Sequence, residues 1–402
     1  MTGESRPPGA RWAQHWLLEP GLRFLNHGSF GACPIPVLAR QQELRERMER
    51  EPVRFFVREL EELQLAARQA LATLLHAEAD DLALVPNATA GVNTVVRSLE
   101  LGSGDEVLTT DHEYRACHNA LEYAALRARA CVVVAPVPFP TTDPGQVLES
   151  VMARVTARTR LVLLDHVTSP TGQVWPIAEL VAALSARGVE TLVDGAHGPG
   201  QVPLDLTALG AAYYTGNCHK WLCAPKGAAF LHVRKDRQTL IRPLGISHGA
   251  SASLARRSRF RVEFDWTGTD DPTPHLCIPA AIQFLESLLP GGLPALMARN
   301  RALALEGRRI LCKALGCEPT CPESMVGSMA SLPLPDGPPQ PPHSPLYTDA
   351  LQDRLLLEHR IEVPIVPWPA PPRRLLRISA QAYNGPDDYR ALAGALSDSL
   401  RR

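Results

Sequence analysis

The 402-residue chain has almost no net charge and no long apolar run. Lysine and arginine total 41 against 42 for aspartate and glutamate, so no broad basic surface is present to attract nucleic acid or anionic lipid. The longest apolar stretches have the length of strands, and residues 1–8 lack the apolar core of a secretory signal. We therefore expect a cytoplasmic protein with no nucleic-acid partner and no membrane partner.

Paired cysteine motifs are also missing. The nine cysteines are scattered and odd in number, and no Cys-x-x-Cys pair occurs, which is typical of a reduced chain. Cys317 and Cys321 lie four residues apart, but no cysteine or histidine pair follows them at zinc-finger spacing. The sequence therefore predicts no metal site.

What the sequence does contain is a regular alternation of strands and helices between residues 82 and 233. The predicted strands are 82–85, 106–109, 131–134, 161–165, 190–193, 211–215 and 228–233. The predicted helices between them include 90–99, 116–127, 147–155 and 177–187. Strands rich in valine and leucine that alternate with helices indicate an α/β domain with a mainly parallel sheet. Ligands of such sheets bind at the carboxyl ends of the strands.

The C-terminal part follows a different order. Two helices are expected at 276–289 and 293–315, followed by a proline-rich loop at 333–345. A helix at 349–359, strands at 361–366 and 375–379, and a helix at 386–400 complete the pattern. We predict an N-terminal arm (1–45), a large domain (46–275) and a smaller α+β domain (276–402). The proline-rich loop is interpreted as a stiff surface loop, with a docking motif for a proline-binding domain as the alternative.

A lysine and an aspartate follow two of the predicted strands. Asp194 comes directly after strand 190–193, and Lys220 lies five residues after strand 211–215. Pyridoxal phosphate (PLP) chemistry needs both groups, because an amine forms the Schiff base and a carboxylate keeps the pyridine nitrogen protonated. Taken alone, each residue fits an ordinary loop equally well.

Other strand ends also hold polar or aromatic groups. Ala88 and Thr89 open a helix that could bind an anion, or they could belong to an ordinary helix cap. Tyr114 could stack on a flat cofactor ring or form part of the core. Ser169 or His166 could hydrogen-bond a phenolic oxygen or a substrate, or could lie in a simple turn.

The order of these motifs resembles the class V aminotransferase family of fold-type I PLP enzymes. The motifs are Asn-Ala-Thr at 87–89, Glu-Tyr at 113–114, Ser-Pro-Thr-Gly at 169–172, Asp-Gly-Ala-His at 194–197 and His-Lys-Trp at 219–221. Trp-Thr-Gly-Thr at 266–269, the strand around Arg377 and the loop 25–31 resemble the isopenicillin N epimerase-like branch, which includes cysteine desulfhydrase-like lyases. The resemblance runs from about residue 24 to the C-terminus and implies a mainly parallel seven-stranded sheet with a smaller C-terminal domain.

The resemblance also implies a role for each matching residue. Lys220 would bind PLP covalently and move a proton at Cα, Asp194 would pair with the pyridine nitrogen, and Tyr114 would stack on the ring. The remaining predicted ligands of the cofactor are Ala88, Thr89, Ser169, His197, Asn217, His219 and, from a second subunit, Thr269. Arg377 would bind the substrate α-carboxylate, and Asn26 would face the substrate. A homodimer with shared active sites is expected.

The resemblance implies an enzyme that removes the Cα proton of a small amino acid. Carbon–sulfur β-elimination is the favoured reaction, with epimerisation, transamination and a catalytically silent PLP-fold binding protein as alternatives. The family's desulfurases carry a mobile-loop cysteine before the carboxylate-binding arginine, whereas residues 322–376 here contain no cysteine. Transfer of sulfur to a protein thiol is therefore not expected.

Overall fold

The computed structural model describes residues 12–254, 257–337, 339 and 349–401. Its largest sheet has seven strands. Across that sheet the strand order is β2-β8-β7-β6-β5-β3-β4, and β8 is the one strand that runs antiparallel to its neighbours. The strands of the described chain are β1 (Arg23–Phe24), β2 (Leu82–Val85), β3 (Glu106–Thr110), β4 (Cys131–Ala135), β5 (Thr159–Asp165), β6 (Glu190–Gly195), β7 (Tyr213–Asn217), β8 (Ala229–Val233), β9 (Met329–Leu334), β10 (Ile361–Glu362), β11 (Ile365–Pro367) and β12 (Arg374–Ser379). The predicted α/β fold with a seven-stranded, mainly parallel sheet is confirmed.

Helices between the strands of this sheet cover both of its faces, and they belong to a set of fifteen α-helices in the described chain. They are α1 (His27–Phe30), α2 (Ile35–Arg50), α3 (Pro52–Arg54), α4 (Leu60–Leu75), α5 (Ala88–Ser98), α6 (Arg115–Ala128), α7 (Gly145–Met152), α8 (Ile177–Ser185), α9 (Leu206–Leu209), α10 (Arg259–Phe264), α11 (Thr273–Leu276), α12 (Ile278–Ser287), α13 (Gly292–Leu315), α14 (Ala350–His359) and α15 (Pro386–Leu400). No single described helix is long and apolar enough to cross a membrane; Thr273–Ser287 and Gly292–Leu315 pass that test only as a pair, bent by 68°.

The alternation of side chains along β5 shows why its centre, residues 161–164, is apolar. Leu161 and Leu163 join the core on the face that α5 and α6 cover, whereas Val162 and Leu164 join the larger core on the opposite face. A strand buried on both faces has no solvent side and therefore reads as a continuous apolar run. The same alternation places the last residue, Asp165, on the face covered by α5 and α6.

A smaller antiparallel sheet, in the order β11-β12-β9, lies in the C-terminal part. The prediction of one strand over 361–366 is wrong, because Val363 and Pro364 separate β10, which pairs with β1, from β11, which pairs with β12. Strand β9 was not predicted. It includes Pro333, which has no N–H and is tolerated because β9 is an edge strand. The proline-rich loop therefore begins inside β9, and its residues 338 and 340–345 lie outside the described part. The predicted domain boundaries stay a prediction.

The segment after β1 packs tightly against the turn that carries Lys220. Gly31 has φ 72°, and a Cβ built on it would collide with the His219 carbonyl oxygen and lie 2.9 Å from Lys220 Cα. Gly21 has a similar φ of 76°, yet a Cβ there would meet nothing within 4 Å. Both glycines thus have a positive φ that other residues rarely adopt, but only Gly31 packs against the Lys220 turn.

We predict that Gly31→Ala destabilises the protein more than Gly21→Ala. Both changes place a side chain at positive φ, which costs on the order of 1–2 kcal/mol. Only Gly31→Ala also displaces the Lys220 turn, so its unfolding free energy should fall further and its affinity for PLP should drop. Denaturant unfolding and cofactor titration of both variants check this, and equal losses would show that the contact is unimportant.

Candidate active site

Lys220 and His197 meet at the carboxyl ends of β6 and β7. Lys220 Nζ lies 3.2 Å from His197 Nε2, and His197 Nδ1 accepts a hydrogen bond from Trp221 Nε1 at 3.3 Å. Because the indole N–H can only donate, His197 in its neutral form carries its proton on Nε2 and presents it to Nζ. This tautomer requires Nζ to act as an acceptor, and hence favours Lys220 as the free amine.

The electrostatic surroundings favour the same protonation state. Burial lowers the pKa of Lys220 to about 8, with a further contribution from the nearby Arg377 charge, while Asp194 opposes the shift. Burial, followed by the charge of Lys220, holds the pKa of His197 well below its usual range. A lysine with this pKa is a nucleophilic amine near neutral pH, as covalent attachment to an aldehyde requires.

Asp194 is a buried carboxylate with two defined donors. Its Oδ1 accepts from the Ala196 backbone N–H at 2.8 Å, and its Oδ2 accepts from the Cys117 thiol at 3.1 Å. Burial raises the pKa of Asp194, whereas these two hydrogen bonds and the charge of Lys220 lower it. A carboxylate in this setting is suited to pair with a protonated ring nitrogen, the role predicted for it.

The sequence predicts an anion-binding site at the start of α5. The Ala88 N–H donates to Asn217 Oδ1 at 2.9 Å, and the Ala90 N–H donates to Asn87 Oδ1 at 2.8 Å. Among the described residues, these bonds leave the Thr89 amide and hydroxyl at the N-terminus of an 11-residue helix. A phosphate fits such a site, because the helix dipole and the remaining N–H favour an anion.

Close packing under α5 brings this helix near the sheet. A Cβ on Gly91 would lie 2.7 Å from Thr215 Cβ, so only glycine lets α5 approach β7 at this point.

His219, after β7, has its Nδ1 2.9 Å from the Ala228 carbonyl oxygen, so Nδ1 donates there. Burial lowers the pKa of His219 to about 4, and a phosphate beside Nε2 would raise that pKa by favouring the imidazolium.

Tyr114 and Thr269 differ in how the single chain places them. Tyr114 precedes α6 and is 44% exposed; burial raises its pKa first, and the charges of Cys117 and Asp194 raise it further. Its partly open ring therefore lies within the field of the buried carboxylate, as a residue that stacks on the cofactor must. Thr269 is exposed on the loop after α10. Its contact with a second subunit, and the homodimer this requires, stay predictions that sedimentation of the purified protein would test.

Arg377 on β12 is a buried guanidinium whose partners are all neutral. It donates to the Ser169 carbonyl oxygen at 2.5 Å, to Ser169 Oγ at 3.3 Å and to Ser29 Oγ at 2.9 Å. Within the described chain no carboxylate lies in ion-pair distance of Arg377, and its Nε has no hydrogen-bond partner. Burial lowers its pKa to about 10. A buried cation without a counter-ion is costly, so the site is built for an anionic ligand.

Asn26 supports this arrangement from the segment after β1. Its Oδ1 accepts from Ser29 Oγ at 2.5 Å, and its Nδ2 donates to Glu362 Oε1 at 2.8 Å. The chain of bonds runs from Glu362 through Asn26 and Ser29 to Arg377, so β10 and the N-terminal segment together orient the guanidinium. The side chain predicted to face the substrate therefore also holds the arginine in place.

Several residues of the site were not predicted from the sequence. Ser29, Glu113, Cys117 and Asp165 lie around the predicted groups, and the position of Asp165 at the end of a predicted strand was the clearest signal. His166, which was an alternative to Ser169, bonds to the Tyr214 hydroxyl at 3.0 Å instead. It follows Asp165 in the strand, so it points to the opposite face of the sheet.

The chain is similar to known proteins over most of its length. The family described as Aminotransferase class-V matches residues 33–289. Isopenicillin N epimerase from Streptomyces clavuligerus is 36% identical over 394 residues, which cover 94% of this chain and 95% of that protein. A probable chloroplastic L-cysteine desulfhydrase from Arabidopsis thaliana is 32% identical over 406 residues, which cover 95% and 84% of the two proteins.

Solved structures show the same fold. The complex between the cystine C–S lyase C-DES and its reaction product cysteine persulfide has a TM-score of 0.80 and 23% sequence identity, and the match covers 94% of this chain and 98% of that one. A cysteine desulfurase from Thermococcus onnurineus has a TM-score of 0.79 at 17% identity, and the match covers 100% of both chains.

We predict that PLP attaches to Lys220 and to no other lysine. The chain has four lysines, so borohydride reduction of the loaded protein and peptide mapping distinguish Lys220 from Lys226, Lys235 and Lys313. Attachment requires the free amine, so its rate should rise with pH and level off above about 8. Lys226→Arg should keep the label and Lys220→Arg should lose it; a label on Lys226 would contradict the assignment.

Proposed function

The chain belongs to the class V aminotransferase family, and on that premise we propose that it cleaves the carbon–sulfur bond of cysteine or a cysteine conjugate by β-elimination. It is a PLP-dependent enzyme, as that family implies. The observation that carries the substrate class is Arg377, because a buried guanidinium with neutral partners fits the α-carboxylate of an amino acid.

The residues described above fit the cofactor. Lys220 would hold it covalently, Asp194 would pair with the ring nitrogen, Tyr114 would cover the ring, and Thr89 with its helix N-terminus would bind the phosphate. When bound, PLP withdraws electrons and stabilises negative charge at the substrate Cα. Ala88, Asn217, His219, His197 and Ser169 complete the proposed contacts, and Thr269 would add one from a second subunit.

The amine of Lys220 is the proposed acceptor of the Cα proton. Its pKa, lowered to about 8, lies close to neutral pH, the range in which a general base is most effective. His197 Nε2 holds Nζ from one side, and Arg377 holds the substrate carboxylate, so the Cα–H bond would be directed at the amine. With a thiolate leaving from Cβ, cysteine and water give sulfide, pyruvate and ammonia.

The cysteines of this chain support elimination over sulfur transfer. Cys218 and Cys223, which flank Lys220, are fully buried, and burial raises the pKa of both thiols. Cys131, the exposed one, lies on the edge strand β4, and residues 322–376 contain none. A protein thiol that could accept sulfur as a persulfide must be an accessible thiolate, and none of these meets that condition at the site.

The closest functional alternative is epimerisation, which the 36% identity with isopenicillin N epimerase favours. It requires the same Cα deprotonation, followed by return of a proton to the opposite face. Elimination and epimerisation therefore share Lys220, Asp194 and Arg377 and differ in their products.

A product assay separates these reactions. We expect the holoenzyme to release pyruvate and sulfide in equal amounts from L-cysteine, or pyruvate and a thiol from a cysteine conjugate. Replacing Cys312, Cys317 and Cys321 by serine should leave turnover unchanged, because sulfide leaves directly from Cβ. Incorporation of deuterium at Cα with inversion and no pyruvate would establish epimerisation instead. A requirement for a keto acid acceptor would establish transamination, and no turnover with any amino acid would favour a silent binding protein.

A second prediction concerns the carboxylate clamp. Arg377→Ala should raise the KM for cysteine strongly, because the loss of a buried charge-assisted pair costs on the order of 2–5 kcal/mol. Arg373→Ala is the matched control, since Arg373 is exposed two residues before β12 reaches its buried centre. In wild-type protein, cysteamine lacks the carboxylate and should therefore bind at the active site much more weakly than cysteine. If Arg377→Ala preserves that discrimination, another group binds the carboxylate.

A further inference from the structure

Three neighbouring strands end in buried carboxyl groups. Glu113 follows β3, Asp165 ends β5 and Asp194 lies near the end of β6, with exposed fractions of 8%, 2% and 2%. Asp165 and Asp194 are register partners in adjacent parallel strands, so their side chains lie on the same face of the sheet. Lys220 is the amine near both aspartates, and it lowers their pKa only when it is protonated. Three buried carboxylates beside one amine repel one another too strongly for all three to be ionised.

The donors around Asp194 and Glu113 suit ionised groups. Asp194 accepts from the Ala196 N–H and the Cys117 thiol, as described above. Glu113 accepts from the Thr109 hydroxyl at 3.1 Å and from the Tyr114 N–H at 3.1 Å. Two donors on each carboxyl stabilise its negative charge.

Asp165 lacks this support. Among the described residues, no N–H or O–H donates to its Oδ2, although that atom is buried. Its carboxyl lies close enough to that of Glu113 for the two groups to share a hydrogen bond. Two carboxyl groups can share a hydrogen bond only if one of them carries the proton.

The distribution of donors decides which carboxyl is protonated. Burial raises the pKa of Asp165 well above its usual range, and the charges of Glu113 and Asp194 raise it further. Burial and Asp194 likewise raise the pKa of Glu113, but its two donors oppose the shift. Cys117, the remaining titratable group in this cluster, is a thiol whose pKa burial also raises, so it stays protonated.

We propose that Asp165 is a protonated carboxylic acid that donates to Glu113 and thereby leaves Asp194 as the anion facing the cofactor nitrogen. Asp165 is then a positioning residue, because it acts on the cofactor through Glu113 and Asp194. An ionised Asp165 in register with Asp194 would drive Asp194 to take up a proton and lose its charge. The inference rests on the proposed pairing of Asp194 with the ring nitrogen.

Infrared spectroscopy tests the protonation state directly. Holoenzyme in which aspartate carries an isotopic label at the side-chain carboxyl should show a C=O stretch of a protonated acid that shifts with the label. That band should vanish in Asp165→Asn and remain in Asp387→Asn, which changes an exposed acid on α15. If wild-type protein shows no protonated aspartate band, or if Asp165→Asn retains the whole band, the proposal is wrong. The wild-type spectrum needs no substitution, so a misfolded variant does not prevent the test.

A pair of variants tests the consequence for the cofactor. Asp165→Asn keeps the shape and a donor to Glu113 but cannot ionise, so its turnover and the pH dependence of its cofactor absorbance should match those of wild type. Asp165→Leu removes the donor, so the pKa of Glu113 should rise and Glu113 should hold the proton instead, which an isotopic label on glutamate would show as a new protonated-acid band. Equal losses of turnover in both variants would show that Asp165 acts as an anion. A protein that shows the infrared band without lyase activity would refute the proposed reaction and leave this inference standing.

Discussion

The burial of charge at the carboxyl ends of the sheet is the constraint on which the rest of the site depends. Arg377 and Asp194 are buried, and Lys220 is half-buried, between the large sheet, α5 and α6, and the segment after β1. In such surroundings an ionisable group must become neutral, find an opposite charge or await a charged ligand. Lys220 becomes neutral as a free amine, whereas Arg377 keeps its charge and is available to an anionic ligand. The same physical constraint therefore accounts for both the lowered pKa of Lys220 and the proposed carboxylate-binding site at Arg377.

Contacts between distant parts of the chain maintain that burial. Ser29 and Asn26 come from the N-terminal segment, Ser169 follows β5, and Arg377 lies on β12, yet all four meet around one guanidinium. His27 strengthens the junction, because its Nε2 lies 3.0 Å from the Lys220 carbonyl oxygen and its Nδ1 lies 2.7 Å from the Tyr383 hydroxyl. Binding of a substrate carboxylate at Arg377 would thus act on a network that also holds the Lys220 turn.

The sequence predicts regular elements and strand-end groups well, and it predicts tertiary contacts poorly. Strand β2 is found over the predicted residues because four apolar residues between turn signals leave little freedom. Strand β9 was missed because its pairing with β12 depends on residues some 45 positions away, and because Pro333 is typical of a loop. Lys220 and Asp194 stood out because their residue types are chemically demanding at strand ends. Asp165 also ends a predicted strand, but its role could not be predicted from the sequence, since that role depends on its register with Asp194.

The fate of the sulfur atom follows from where the thiols lie. Every enzyme that removes a Cα proton with this set of groups produces the same electron-rich carbon, so the residues that meet Cβ and its leaving group decide the outcome. In this chain the Cys117 thiol donates a hydrogen bond to Asp194. Cys218 and Cys223, on either side of Lys220 in the sequence, are fully buried. No protein thiolate is therefore placed to attack the sulfur of the substrate, the step by which a desulfurase forms its persulfide. In the proposed elimination the sulfur instead keeps the electron pair of its bond to Cβ, leaves as a thiolate and takes up a proton from solvent.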